Sequence, residues 1–215
     1  MRLNASQWKT IFLRIGERIE AEKEYLSELD RAIGDGDHGV SMSIGWQAVR
    51  SRIAELEQEE NIGIIMKEIS GTFLNAVGAS VGPLYGIAFL KAGIAAEGKS
   101  SLADGEIADL WCAAVNGIRQ LGKAEPGDKT MLDAWLPIAE ALERAKLVGT
   151  PFPEALEEAA EAGRLGMMKT KEMQSKRGRS GRLGERSVGT IDPGAASAYL
   201  IFSTFVEACK ELGEP

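Results

Sequence analysis

The chain has 215 residues, of which 44% are hydrophobic and 27% charged, and its formal net charge is −7. This composition predicts a globular core, and the acidic balance disfavours non-specific binding to nucleic acid or to an anionic membrane. The polar N-terminus lacks the apolar core of a secretion signal, and no apolar stretch approaches the roughly 20 residues that span a bilayer. Cys112 and Cys209 form no metal-binding pattern and indicate buried thiols in a reducing compartment, so we expect a cytoplasmic protein.

Hydrophobic spacing predicts eight helices and no strand of useful length. The first is expected to run from an N-cap at Ser6 to Leu29, and the second from Gly39 to about Leu56. The other six are expected to begin near Asn61, at Pro83, at a capping pair of Ser101 and Asp104, near Thr130, at 150–153 (and to reach Ser175), and at Pro193 with Asp192 as N-cap. Eight helices with short connections predict an all-α fold, a single antiparallel bundle or barrel that spans residues 1–215.

Four loops rich in Gly, Asp, Ser and Pro interrupt the helical pattern, at 30–41, 77–83, 122–133 and 176–194. Glycine allows backbone N–H groups to approach a ligand closely, and a helix N-terminus favours anions. If the four loops meet at one end of the bundle, we expect them to form a phosphate site.

The first of these loops concentrates negative charge, because Asp30, Asp35 and Asp37 fall within eight positions. Carboxylates that close repel one another unless a cation lies between them, and hard oxygen ligands of this kind suit Mg²⁺. A solvated acidic loop is the alternative interpretation. His38, the only histidine, either assists bound phosphates or caps the second helix.

Residues 169–186 carry seven basic and two acidic side chains, a local charge of +5. A run of charge is commonly a solvated face. Here it contains several glycines and leads into Asp192-Pro193-Gly194, which favours a flexible basic flap over a polyphosphate.

Taken together, the segments LDRAIGDGDHG, GASVGPLYG, GKAEPGDKTMLDAW and GRLGERSVGTIDPGAAS resemble the L subunit, or L domain, of dihydroxyacetone kinases. They extend over nearly the whole chain in that family's order and spacing. Two positions depart from the usual pattern: Val81 stands between Ser80 and Gly82, and Arg182 replaces a non-basic residue.

The resemblance implies an eight-helix barrel with ADP or ATP at its rim and two Mg²⁺ ions held by Asp30, Asp35 and Asp37. These aspartates, through the Mg²⁺ that they hold, and Arg179 would carry catalysis, because magnesium and basic groups offset the charge of the moving phosphoryl group. The residues implied to line the nucleotide are His38, Gly39, Val40, Ser41, Ala79, Ser80, Gly122, Met131, Arg179, Asp192, Pro193 and Gly194.

The resemblance also implies a partner, a K subunit that carries the short ketose. The phosphoryl donor is left open between exchangeable ATP and a phosphotransferase-system protein that recharges bound ADP. A kinase for another short ketose, such as a tetrulose, and a non-catalytic nucleotide-sensing module are the alternatives. A homodimer is left open.

Overall fold

A computed structural model describes residues 1–213 of the chain. Its helices are α1 (Ala5–Ala21), α2 (Lys23–Ile33), α3 (His38–Glu55), α4 (Ile62–Ala76), α5 (Val81–Ala95), α6 (Asp104–Gly122), α7 (Leu132–Val148), α8 (Phe152–Lys169) and α9 (Pro193–Gly213). Short 3₁₀ segments cover Thr170–Glu172 and Ser180–Ser187. None of the helices in this part of the chain combines the length and hydropathy needed to cross a membrane.

The helices form eight antiparallel rods, because α1 and α2 follow one another along a single bent rod. Each rod packs against the next in chain order, and α9 packs against α1, which closes the ring. This confirms the all-α fold that the sequence predicts. Alternation along the ring brings the loops after α2, α4, α6 and α8 to one end, here called the loop end.

The bend in the first rod was not predicted. Glu22 leaves helical geometry with φ −96° and ψ 8°, so the expected helix from Ser6 to Leu29 is divided in two. Its N-cap also lies two residues earlier than expected: the Asn4 side chain accepts a hydrogen bond from the Gln7 N–H at 2.9 Å, and the Gln7 side chain accepts one from the Asn4 N–H at 2.9 Å. The prediction of Ser6 as cap is therefore wrong.

A two-stranded antiparallel ladder accounts for this earlier start. Strands β1 (Arg2–Asn4) and β2 (Ser101–Ala103) pair at the end of the ring opposite the loop end. Three-residue strands are too short to give an alternating pattern in the sequence. Because β2 occupies 101–103, α6 is capped by the Glu106 carboxylate, which accepts from the Ala103 N–H at 2.8 Å, rather than by Ser101.

The end of α8 differs from the prediction, whereas the cap of α9 agrees with it. The seventh predicted helix stops at Lys169 and not at Ser175, since residues 170–172 tighten into a 3₁₀ turn. Asp192 does cap α9, as predicted, because its carboxylate accepts from the Ala195 N–H at 2.8 Å.

The core lies on the axis of the ring and is rich in aromatic side chains. Trp111 stacks on Trp135 with ring centroids 5.5 Å apart, and Trp8 stacks on Phe205 at the same separation. Burial of large rings from several rods holds the ring closed and fixes the positions of the helix ends. The loops at the loop end therefore start and finish on a rigid frame.

Candidate functional site

The three aspartates of the first loop come together at the loop end. Asp30 lies on the last turn of α2, and Asp35 and Asp37 follow in the turn before α3. One carboxylate oxygen from each lies within 4.8 Å of the others. Asp30 is half-buried and accepts the His38 N–H at 3.2 Å, whereas Asp35 and Asp37 are about half exposed.

The backbone turn that brings them together depends on Gly34. A Cβ at this position would lie 2.2 Å from the Asp30 Oδ1 atom, so any larger residue would displace that carboxylate. The Gly34 N–H also donates to the Asp30 carbonyl at 2.5 Å, which ends α2 at this point. The sharp turn after α2 is thus what aims Asp35 and Asp37 back toward Asp30.

One arginine faces the acidic trio. The Arg179 guanidinium contacts the Asp35 carboxylate and lies 3.6 Å from Asp37 Oδ2. A single positive charge against three carboxylates leaves net negative charge at the loop end. Hard oxygen ligands at this spacing and with this excess charge fit a divalent cation such as Mg²⁺.

Two adjoining cavities lie beside the trio. The smaller, about 140 Å³, is lined by all three aspartates together with His38, Ser41, Ala79, Ser80, Val81 and Arg179. The larger, about 460 Å³, shares His38, Ser80, Val81 and the 192–193 turn with it. Its walls add the apolar side chains of Leu84, Ile118, Leu121, Met131 and Leu132. A polar compartment therefore opens into an apolar one, within the size range of small-ligand pockets.

His38 lies at the wall between the two cavities and is buried, with 6% of its surface exposed. Its Nε2 atom is 3.0 Å from Ser197 Oγ. Because the Ser197 hydroxyl donates to the Gly194 carbonyl, we assign the ring proton to His38 Nε2. Burial lowers the pKa of His38 to about 4, against a smaller opposing effect of Asp30, so the imidazole is neutral near pH 7.

Asp192 is the second buried ionisable group at this wall. Burial raises its pKa to about 7, while the Ala195 N–H bond and the Lys129 ammonium oppose that rise. Its role as the cap of α9 is directly visible in the Ala195 contact. This hydrogen bond holds Asp192 and Pro193 in place, and both residues line the two cavities.

Most of the sequence-predicted site residues line one of the cavities. Ser41, Ala79 and Arg179 face the smaller one, Gly122, Met131 and Gly194 the larger, and His38, Ser80, Asp192 and Pro193 face both. Gly39 and Val40 line neither. A Cβ on Gly39 would lie 2.0 Å from the Lys23 carbonyl, so this glycine lets α3 pack on α2, and Val40 is 43% exposed.

The basic segment is folded, which differs from the expected flexible flap. The Ser175 N–H donates to Ser187 Oγ at 2.8 Å, and the Gly189 N–H donates to the Lys171 carbonyl at 2.8 Å, so the base of the segment is closed. Arg177 Nε donates to Asp128 Oδ2 at 2.9 Å. Interactions with residues about 50 positions away fix this segment, and local composition gave no sign of them.

Sequence reasoning missed several residues of the site: Leu84, Leu121, Lys129, Arg177, Ser180 and Ser197. The apolar ones follow the helical repeat and cannot be told from core positions in a sequence. Ser197 lies in the GAAS segment after the cap of α9, which was the one signal available for it.

Fold and site together define a class: all-helical proteins with a carboxylate trio and a facing arginine beside a two-part cavity, an arrangement suited to a polyphosphate held through a divalent cation. The model of the DAK2 domain matches residues 32–207. The chain belongs to this family.

Two relatives agree with this family, and a solved structure has the same fold. The PEP-dependent dihydroxyacetone kinase, ADP-binding subunit DhaL, of Escherichia coli is 37% identical over 211 residues, which cover 98% of this chain and 100% of that protein. The PTS-dependent counterpart of Lactococcus lactis is 36% identical over 194 residues, 90% of this chain and 92% of the relative. The crystal structure of the dihydroxyacetone kinase from C. freundii in complex with AMP-PNP and Mg²⁺ superimposes with a TM-score of 0.74 at 22% identity, over 96% of this chain and 34% of that one.

Proposed function

We propose that this chain is the nucleotide-holding subunit of a kinase for dihydroxyacetone or a similar short ketose, and that residues 1–215 act as one nucleotide-binding domain. The observation that carries the proposal is the convergence of Asp30, Asp35 and Asp37 within 4.8 Å at the polar end of a two-part cavity. The L-subunit relatives that match nearly the whole chain support the same function.

In this proposal the three carboxylates hold two Mg²⁺ ions, and the smaller cavity holds the phosphates of ADP or ATP. Bound Mg²⁺ would neutralise phosphate charge. Ser41, Ala79 and Ser80 supply hydroxyl and backbone groups at the phosphate end. The apolar wall of the larger cavity, including Met131, receives the base.

Two side chains at the wall have distinct tasks. Neutral His38 offers hydrogen bonds without adding charge, since burial keeps its imidazole unprotonated. Arg179 supplies the positive charge of this wall and stabilises the charge of the moving phosphoryl group. We assign no side chain here the role of a nucleophile, because positioning and charge neutralisation account for catalysis of phosphoryl transfer.

We further propose that a separate K subunit brings the ketose and that a phosphotransferase-system protein recharges bound ADP in the cytoplasm. Two observations support this branch over exchange of ATP. The two relatives that match over 92% or more of their own length are named as PEP- or PTS-dependent. The solved kinase with AMP-PNP has a chain of which this protein covers only 34%.

The test of nucleotide retention is mass spectrometry of the protein released from denaturant after purification without added nucleotide. Stoichiometric ADP is expected, and ATP alone should then fail to support turnover with a K subunit and dihydroxyacetone. Turnover with ATP alone would assign the chain to the ATP-exchanging branch. A purified protein that neither carries nor binds Mg²⁺-nucleotide would refute the proposed function.

The metal role of the trio is tested by Asp35→Asn, which keeps the shape of the side chain and removes its charge. We expect the affinity for Mg²⁺·ADP to fall by at least about 100-fold, since even partners behind a metal ligand are worth 10- to 100-fold. Titration calorimetry on nucleotide-free protein measures this. Asp109→Asn is the matched control, because Asp109 is an exposed carboxylate paired with Lys146 at 2.6 Å, in the early turns of α6. Equal affinity of the two variants would remove Asp35 from the site.

A further inference from the structure

Lys129 is a buried lysine that neither the motif assignment nor the proposed mechanism uses. Its side chain is 1% exposed, and its backbone has φ +60°, a conformation in which non-glycine residues are uncommon. Burying an ammonium is costly unless its hydrogen bonds are satisfied. Local sequence preference explains neither the burial of this lysine nor its backbone conformation, so the explanation lies in its contacts.

That reason lies in three carbonyl oxygens. Lys129 Nζ donates to the carbonyls of Thr170 at 2.8 Å, Ser187 at 2.7 Å and Thr190 at 2.5 Å. An ammonium has three N–H donors, so all of them are used within the protein and none remains for a phosphate. Although Lys129 borders the larger cavity, its charged atom is committed to the backbone.

The three carbonyls belong to the two ends of one segment. Thr170 stands where α8 gives way to the basic segment, and Ser187 and Thr190 stand where the chain returns toward the cap of α9. Between these ends lies Arg179, which faces Asp35 and Asp37. Lys129 thus closes the base of a loop whose tip carries the arginine of the site.

The neighbours of Lys129 in sequence extend the same connection. Asp128 accepts from Arg177 Nε at 2.9 Å, and its carbonyl accepts the Lys176 N–H at 3.1 Å. Met131, two residues after Lys129, lines the larger cavity. The loop that follows α6 therefore binds the basic segment at its base through Lys129 and near its tip through Asp128. The same loop forms part of the wall of the larger cavity through Met131.

We propose that Lys129 is a positioning residue: its ammonium holds the segment 170–190 closed, so that Arg179 and the 192–194 turn keep a fixed place relative to the aspartate trio. The inference about Arg179 rests on the proposed function. The inference about the fold of the segment does not.

The first arm of the test needs no nucleotide. Lys129→Met, Lys129→Arg and Lys123→Met are digested with an arginine-specific protease, whose sites within the segment 170–190 are the same in all three variants, and the fragments are weighed to identify each cleavage. Cleavage after Arg177, Arg179 or Arg182 in Lys129→Met is expected to be at least about tenfold faster than in the parent, because three bonds to a charged donor are lost. Lys129→Arg should restore most of the protection, since a guanidinium also donates to carbonyls.

Lys123→Met is the matched control. Lys123 lies in the same turn, has a similar backbone conformation at φ +50°, and is exposed. Cleavage at the parental rate is expected for it. If Lys129→Met does not accumulate as a folded protein by circular dichroism, Lys129→Gln, which keeps two donors, takes its place under the same readouts.

The second arm measures turnover with a K subunit in Lys129→Met, Arg179→Ala and the double variant. If Lys129 acts through Arg179, the double variant should be no more than about threefold slower than the slower single variant, as for residues that act as a unit. Independent effects that multiply would overturn this link. Parental cleavage in a folded Lys129→Met protein would overturn the positioning role itself, whatever the outcome for nucleotide binding.

Discussion

His38 and Asp192 show how burial sets charge at the wall of the cavity. Burial lowers the pKa of the imidazole to about 4 and raises that of the carboxyl to about 7, so both groups move toward their neutral forms. Lys129 is charged but directed at backbone carbonyls. Positive charge directed at the acidic trio therefore depends on Arg179, whose side chain is 61% exposed and close to Asp35.

Replacement of Arg179 by Ala is predicted to separate catalysis from binding. We expect turnover with a K subunit to fall by about 100-fold or more, the usual effect of removing one group that stabilises a transition state. Affinity for Mg²⁺·ADP should change by less than about tenfold, because the aspartates remain and lose a competing cation. Steady-state kinetics and calorimetry measure the two effects.

Arg182→Ala is the control for this change. Arg182 is exposed and lies three residues after Arg179, in the 3₁₀ segment that Arg179 precedes. It should leave both quantities near their parental values. Equal losses in the two variants would mean that the segment acts by its overall charge, and Arg179 would then have no individual role.

At the scale of secondary structure, the sequence predicted rods well and their ends less well. The cap of α9 at Asp192 and the start of α4 at Asn61 were correct, because both follow from local capping chemistry. The bend at Glu22 was missed since no Pro or Gly marks it. The cap at Asn4 was missed because β1 depends on pairing with β2, about 100 residues away.

The candidate site likewise has features that short-range spacing predicted and features that depend on residues far apart in the sequence. Short-range spacing indicated Asp30, Asp35 and Asp37, which do converge. Their juxtaposition with Arg179 came from motif resemblance and not from spacing. The hydrogen bonds of Lys129 span 41, 58 and 61 positions, and no local pattern encodes bonds of that range.

The corrected cap of α1 gives a stability prediction. Asn4→Ala is expected to lower the free energy of unfolding by about 1 kcal/mol, since it removes the side-chain acceptor of a capping box. Ser6→Ala should change it by less than about 0.5 kcal/mol, because Ser6 lies inside the helix and alanine is the better helix former. Urea titration of both variants decides the matter, and a larger loss for Ser6→Ala would restore the original prediction.

At the scale of the whole molecule, the closed ring encloses both thiols. Cys209 is fully buried and Cys112 is 8% exposed, and burial raises the pKa of each thiol to about 12. A folded-state pKa above the unfolded value means that the folded protein holds protons that the unfolded chain has released. The stabilisation is complete below the unfolded pKa near 9 and is lost as pH rises from there toward 12.

We therefore predict that stability falls as pH rises above about 9, by about 1 kcal/mol for each thiol between roughly pH 9 and pH 10. Urea midpoints measured across this range provide the test. A variant with Cys112→Ala and Cys209→Ala should be less stable at pH 8 but show a shallower decline. An equal decline in the two proteins would assign the alkaline effect to other groups.

The up-and-down course of the rods also separates the two ends of the ring. The candidate site occupies one end, whereas the turn between α7 and α8 at Gly149 and Thr150 lies at the other, a full 17-residue helix away from Leu132. At 1.5 Å per residue this amounts to roughly 25 Å. A fluorophore or affinity label inserted at that turn would thus report on the protein without obstructing access to the candidate site.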